Sequence, residues 1–153
     1  MDTLSLKTPV GELTLFADGD ALTALCWGQG MGAPRASKTP ALNQAAALLK
    51  DYFKTGTTDF SALKLAPTGT PYQKRAWALM RKIKPGQTRS YGQLAASLNS
   101  GARALGSMCA KNPIPIIVPC HRVLRAGGKL GQYSGGDGPD TKEFLLRLEG
   151  VDI

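Results

Sequence analysis

The chain has little of what metal, disulfide and membrane proteins need. Its 153 residues hold one histidine, His121, and three cysteines, Cys26, Cys109 and Cys120. A single imidazole leaves no histidine cluster, and nothing in residues 1–66 resembles a catalytic or metal set. An odd, small number of cysteines makes no disulfide framework. Met1-Asp2-Thr3 begins with an acid, where a secretory leader has a basic start and an apolar run. A reduced, intracellular setting is therefore expected. No apolar stretch approaches the ~20 residues of a membrane span, so no membrane partner is expected.

What is present is enough for a packed core and an uneven charge. Apolar residues make up 42% of the chain, which argues for a folded protein. The length suits one medium domain or two small ones. Residues 1–66 carry six basic and six acidic side chains, which cancel; residues 67–153 carry thirteen and five, so the whole net charge of +8 lies there. That asymmetry suggests a polyanion partner for the second half, with a solubility surface as the competing explanation.

The first half reads as a small α/β unit. Leu4–Lys7, Leu13–Phe16 and Ala21–Cys26 have strand patterns, and turns at Pro9-Val10-Gly11 and Asp18-Gly19-Asp20 predict a meander. Residues 29–38 are a Gly- and Pro-rich loop. Thr39 offers an N-cap and Pro40 a first helical position. Leu42, Ala45, Ala46, Leu49 and Phe53 follow at helical spacing, and Gly56 ends the helix. This half is expected to be a scaffold.

A boundary falls near Ala66-Pro67-Thr68-Gly69, dividing residues 1–66 from 67–153. Thr70-Pro71-Tyr72-Gln73 is a capping box opening a helix whose apolar face is Ala76, Trp77, Met80 and Ile83, stopped by Pro85-Gly86. Ser90-Tyr91-Gly92-Gln93 is a second box before a short helix through Leu94, Ala95 and Leu98. After the turn Asn99-Ser100-Gly101, Ala102–Lys111 forms a third helix of small residues with Arg103 near its start. The order short helix, glycine turn, small-faced helix fits a helix-turn-helix for a nucleic-acid groove, and it fits an ordinary helical hairpin. A last helix opens at an Asp140-to-Glu143 capping box and ends near Glu149.

The densest chemistry is Asn112-Pro113-Ile114-Pro115-Ile116-Ile117-Val118-Pro119-Cys120-His121-Arg122-Val123. A free thiol near pKa 8.5 is only a few per cent thiolate at neutral pH, and the imidazole of His121 and the basic Arg122 are the groups expected to raise that fraction. A Cys-His pair alone is weak, because neighbours on a strand point to opposite faces; a bend after Pro119 or a bridging water is needed. Cys26 and Cys109 read as inert packing. A cysteine hydrolase is disfavoured by the sole histidine adjoining the cysteine. A DNA-binding module without chemistry stays open.

Pro119-Cys120-His121-Arg122-Val123, after its apolar run, resembles the active-site signature of the O6-alkylguanine-DNA alkyltransferases. The resemblance extends from about Gly69 to Gly150. It includes Thr70–Gln73 with Trp77, Ser90–Ala95, Ala102–Gly106, Tyr133-Ser134-Gly135-Gly136 and Lys142–Gly150. It implies an α/β protein with a small ribonuclease-H-like N-terminal domain and a mainly helical winged-helix domain carrying a helix-turn-helix. It implies repair of duplex DNA by irreversible transfer of an alkyl group from O6-alkylguanine to Cys120, once per molecule. In that family His121 acts through a water on Cys120, Glu149 orients His121, and Asn112 braces the site. Tyr91, Val123, Tyr133 and Ser134 line the substrate pocket. Tyr91, Ala102 and Arg103 meet the DNA, with Arg103 filling the space of the flipped base. The same resemblance implies no cofactor, sequence-independent binding to double-stranded DNA, a monomer, and a cytoplasmic place of work (nuclear in a eukaryote). Some members hold zinc in the first domain; residues 1–66 lack the ligands for it.

Overall fold

The computed structural model describes residues 2–28 and 39–153; the expected loop at 29–38 lies outside them. Strands β1 (Asp2–Thr8), β2 (Gly11–Asp18) and β3 (Ala21–Trp27) form the predicted antiparallel meander in the order β1-β2-β3. Alternation puts Leu13 and Leu15 on one buried face, and a β-bulge in β3 opposite Phe16 and Ala17 brings Leu22 and Leu25, three positions apart, onto the same face. Helix α1 (Pro40–Thr55) packs on that face. Its Thr39 hydroxyl accepts the Leu42 amide, and Gly56 closes it in the left-handed region at φ 70°. The buried stripe is Leu42, Ala45, Ala46, Leu49 and Tyr52. Phe53, expected on it, is only half-buried. Tyr52 follows Leu49 by three positions and so continues the stripe.

Gly56 is required for two reasons. A side chain there would be strained at positive φ, and its Cβ would sit 2.0 Å from the Leu148 carbonyl oxygen. The end of α1 is thus pressed against the end of α5 (Pro139–Leu148). Two further ties join the meander to the rest. The amide of Leu22 donates to the Lys64 carbonyl and the amide of Leu25 to the Pro113 carbonyl, each at 2.9 Å.

Helix α2 (Pro71–Met80) has the predicted capping box between Thr70 and Gln73. It ends at Met80, before Pro85-Gly86, and Ile83 is buried in the turn beyond it. The Trp77 indole is buried and donates from Nε1 to the Met108 carbonyl, 2.9 Å; a buried Trp finds a partner for its one polar atom in this way. Strand β4 (Arg89–Ser90) leads into α3 (Tyr91–Ser97), whose Ser90–Gln93 capping box is also formed. Asn99, at φ 51°, makes the left-handed turn into α4 (Ala102–Ala110), and the Tyr72 hydroxyl clamps that turn through Ser100 Oγ at 2.6 Å. Strand β5 (Val123–Leu124) pairs in parallel with β4. The fold is mixed α/β: a small N-terminal sheet with one helix, then a mainly helical part, sharing one continuous buried cluster.

Helix α5 corrects one expectation. It begins at Pro139, with Gly138 as N-cap, and has no side-chain cap. Asp140 is already inside the first turn, and Glu143 faces Arg147 at 3.5 Å on the surface. A proline at the first helical position with a left-handed glycine before it starts the helix earlier than the Asp140–Glu143 spacing suggests.

Candidate active site

The reactive cysteine is aimed by its backbone. Pro119 has φ −81° and ψ 65°, the geometry of an inverse γ-turn, and the Cys120 amide closes it onto the Val118 carbonyl at 2.8 Å. A single 3₁₀ turn, Cys120–Arg122, follows. This is the expected bend, and it takes the adjacent side chains out of strand alternation. The Val118 carbonyl also accepts Asn112 Nδ2 at 2.8 Å, while Asn112 Oδ1 accepts the Ile114 amide at 3.0 Å. Asn112 therefore staples both ends of the apolar run. Ile116 sits inside it at φ 74°, a strained value for a β-branched residue.

His121 and Glu149 are fully enclosed. Their side chains are 0% exposed, and His121 Nε2 lies 2.6 Å from Glu149 Oε2. Glu149 is thus no solvated helix end. Arg122 Nε donates to Oε1 at 2.8 Å and Nη2 to Oε2 at 3.0 Å; its Nη1 donates to the Ile83 carbonyl. The Tyr52 hydroxyl also donates to Oε2. Burial alone would raise the Glu149 pKa, but the bonds from His121 and Arg122 outweigh it and hold the carboxyl down at about 2. Burial disfavours the imidazolium and lowers His121, despite the opposing pull of Glu149. The neutral imidazole then donates Nε2–H to the carboxylate. Its Nδ1, buried and without a partner among the described residues, keeps a lone pair.

Two expectations need correcting here. Arg122 does not activate the thiol; its guanidinium forks onto Glu149 instead, a geometry in which arginine suits a carboxylate. The first half is more than a scaffold, because Tyr52 of α1 completes the Glu149 site across 97 positions of sequence.

The sulfur itself rests as a thiol. Cys120 is 3% exposed, and burial pushes its pKa up; a hydrogen bond from Asn112 and the charge of Lys142 oppose that. Lys142 was not foreseen. It is 1% exposed, yet its Nζ donates to the carbonyls of Val123 (2.7 Å) and Gln132 (3.2 Å) and lies 3.5 Å from Tyr91 Oη. Its ammonium is also 5.6 Å from the Tyr91 ring centre. A signal existed: Lys142, Leu145, Leu146 and Glu149 are spaced i, i+3, i+4, i+7, one helical face. Burial, then the nearby Cys109 and Cys120 thiols, raise the Tyr91 phenol to about 12, so it keeps its proton. Because Lys142 supplies a proton to its oxygen, the Tyr91 O–H is left to donate elsewhere.

The remaining predicted residues divide into two groups. Val123 is buried at the start of β5, its carbonyl taken by Lys142. The Tyr133 hydroxyl is buried without a partner among the described residues. Burial, and then Cys120 and Glu149, lift its pKa well above the ordinary value; its neighbour Gln132 gives its carbonyl to Lys142 Nζ at 3.2 Å. Ser134, next to it, is exposed. Ala102 and Arg103 stand apart from the centre, exposed in the first turn of α4. Cys109, the other cysteine near the site, is buried and pushed up to about 12, chiefly by burial. Cys26 is half-buried.

An enclosed thiol, an imidazole with a free nitrogen, and a carboxylate fixing that imidazole are the parts that a nucleophile–base–orienter set needs. Comparison with known proteins agrees with that class. The model of the 6-O-methylguanine DNA methyltransferase ribonuclease-like domain matches residues 4–67, and the model of the DNA binding domain of the same proteins matches residues 71–151. The chain belongs to the 6-O-methylguanine DNA methyltransferase family. It is 38% identical over 151 residues to a methylated-DNA–protein-cysteine methyltransferase of Methanosarcina acetivorans, covering 94% of this chain and 95% of the relative. A constitutive methyltransferase of the same name from Bacillus subtilis is 34% identical over 155 residues, covering 95% and 93%. Among solved structures, Mycobacterium tuberculosis OGT in complex with DNA superposes with a TM-score of 0.84 at 39% identity, over 97% of this chain and 92% of that one.

Proposed function

We propose that this chain repairs DNA by taking the alkyl group of O6-alkylguanine onto Cys120, once per molecule. The observation that carries the reading is the enclosed Cys120 thiol followed in the chain by a buried His121 that Glu149 holds at 2.6 Å, leaving Nδ1 free among the described residues. In the resting state His121 Nδ1 is the free acceptor, and a water between it and Cys120 Sγ passes the thiol proton to the ring. The positive charge formed on His121 is met by Glu149, already ionised. The thiolate then attacks the alkyl carbon in line with O6. The S–C bond forms, the C–O6 bond breaks, and the electron pair leaves with the guanine. Tyr91 donates its hydroxyl hydrogen to the ring as that charge grows, with Lys142 steadying the phenol oxygen. Carbonyls of Cys120 and Val123, Tyr133 and Ser134 make the pocket for the flipped base. O4-alkylthymine is a further candidate substrate.

Residues 1–66 form a ribonuclease-H-like domain in this reading, and residues 67–153 a winged-helix domain that meets the DNA. Helix α4 enters the minor groove, where small residues such as Ala102 and Gly106 allow close approach and offer few groups that read base edges. Arg103 fills the space left by the extruded base; that extrusion costs a few kcal/mol, less at a damaged pair. Binding is sequence-independent, steeply salt-dependent and monomeric, in the compartment that holds the DNA. Incubation with a duplex bearing O6-methylguanine tests the proposal. One added methyl mass on the Cys120 peptide, with a one-to-one stoichiometry, is expected. DNA binding with an unmodified Cys120 would leave only a lesion-binding module.

A further inference from the structure

We infer that Trp27, the last residue of β3, is the fixed backing of the loop Tyr133–Gly136 and so sets the size of alkyl group that Cys120 accepts. This rests on the alkyl-transfer reading above. The loop lies directly on the indole. A Cβ on Gly135 would come 2.5 Å from Trp27 Cζ3 and 2.6 Å from Cη2. A Cβ on Gly136 would come 2.9 Å from Trp27 Nε1 and 2.6 Å from Thr141 Oγ1. Only bare glycine backbone fits the slot between the indole and α5. The Tyr133 ring meets the indole edge-on, with centres 6.1 Å apart and planes at 86°.

The backing is itself held from behind. Trp27 Nε1 donates to the Val10 carbonyl at 3.0 Å, and Trp27 pairs with Leu13 in the sheet. The next residue is pinned twice: the Gly28 amide donates to Glu12 and its carbonyl accepts the Thr14 hydroxyl. The loop itself is braced by two backbone amides, Gly138 on the Gly135 carbonyl and Asp137 on Thr141 Oγ1, each at 2.9 Å. Gly131, Gly136 and Gly138 all adopt positive φ, conformations that leave glycine many alternatives when nothing packs against it. The loop is tied to the chemistry next to Tyr133: the Gln132 carbonyl accepts Lys142 Nζ at 3.2 Å, and the same ammonium donates to the Val123 carbonyl at 2.7 Å. The firmness of this wall therefore depends on the indole behind it together with its bonds to Thr141 and Lys142 of α5. The role is one of positioning, because Trp27 acts through Tyr133 and the glycines.

The test compares duplexes carrying O6-methylguanine and O6-benzylguanine with wild-type, Trp27→Ala, Trp27→Phe and Gly135→Ala proteins. In Trp27→Ala the wall recedes. Methyl transfer is expected to slow by about tenfold through looser positioning, while the benzyl-to-methyl rate ratio rises by a similar factor. Trp27→Phe restores most of the wild-type ratio, and the pH dependence of transfer stays put. Gly135→Ala thrusts a methyl at the indole and moves the ratio the other way. For a readout that needs none of these variants, Cys120→Ser in a Trp77→Phe background leaves Trp27 as the sole indole. Its emission should change when free O6-benzylguanine fills the pocket. An unchanged ratio in folded Trp27→Ala, or a silent Trp27 at saturating ligand, overturns the inference while the transfer reading stands. A wild-type Cys120 that takes neither group removes both.

Discussion

Glu149→Gln is the perturbation whose size follows most directly from the structure. Four donor groups converge on the carboxylate: His121 Nε2, Arg122 Nε and Nη2, and the Tyr52 hydroxyl. An amide offers one acceptor oxygen and turns an NH₂ toward donors, so part of this set loses its partner. Removing one side of a buried ion pair costs about 3–5 kcal/mol, because the other charge stays buried and unpaired. An independent route gives a similar figure. The carboxyl titrates near 4.5 when exposed and about 2 here, a difference worth about 3 kcal/mol at 1.36 kcal/mol per unit. For a protein of this length, 1 kcal/mol shifts Tm by about 2–4 °C, so a fall of about 10 °C at pH 7 is expected.

The pH dependence makes the reasoning testable. A carboxyl whose folded pKa lies below its unfolded one contributes its full stability above about pH 4.5, and loses it as pH falls through about 2. The gap between wild type and Glu149→Gln should therefore be widest at neutral pH and close between those two values. Urea melts from pH 7 to the lowest pH at which the wild type still folds measure this. A gap that stays constant across the range would show that the negative charge is not what these donors hold, and the assignment of Glu149 would fail.

Three further outcomes are expected. Lys142→Met removes the cation that opposes the rise in the Cys120 pKa, so the alkylation rate should need higher pH, read as an alkaline shift in the rate–pH curve. Arg103→Ala should slow repair in duplex DNA more than reaction with free O6-benzylguanine; equal losses would remove its role in base extrusion. Gly56→Ala combines positive φ with a 2.0 Å clash against the Leu148 carbonyl. It should destabilise by more than about 1 kcal/mol in thermal melts, and by separating α1 from α5 it should also slow transfer.

What the sequence discloses depends on how local the governing interaction is. The openings of α1, α2 and α3 are legible because Thr39, Thr70 and Ser90 cap amides within three residues. The meander is legible because its turns are marked by glycine and its strands alternate. Helix α5 misleads: the Asp140–Glu143 spacing imitates a capping box, while Gly138 and Pro139 begin the helix. In the site, Cys120 and His121 announce themselves by adjacency. The destination of Arg122 and the arrival of Tyr52 do not, since each is decided by chain that returns from 27 and 97 positions away. Lys142 hides for another reason. A lysine on an amphipathic helix is ordinarily solvated, and only the placement of the Val123 and Gln132 carbonyls draws it inside.

The enclosure of Cys120 bears on how a consumable reagent is conserved. Peroxides and stray electrophiles in a cell react with accessible thiolates, and every such encounter would waste a whole polypeptide. A sulfur that is 3% exposed and kept protonated by its surroundings is poor bait for them. It waits undepleted until a lesion is brought to it.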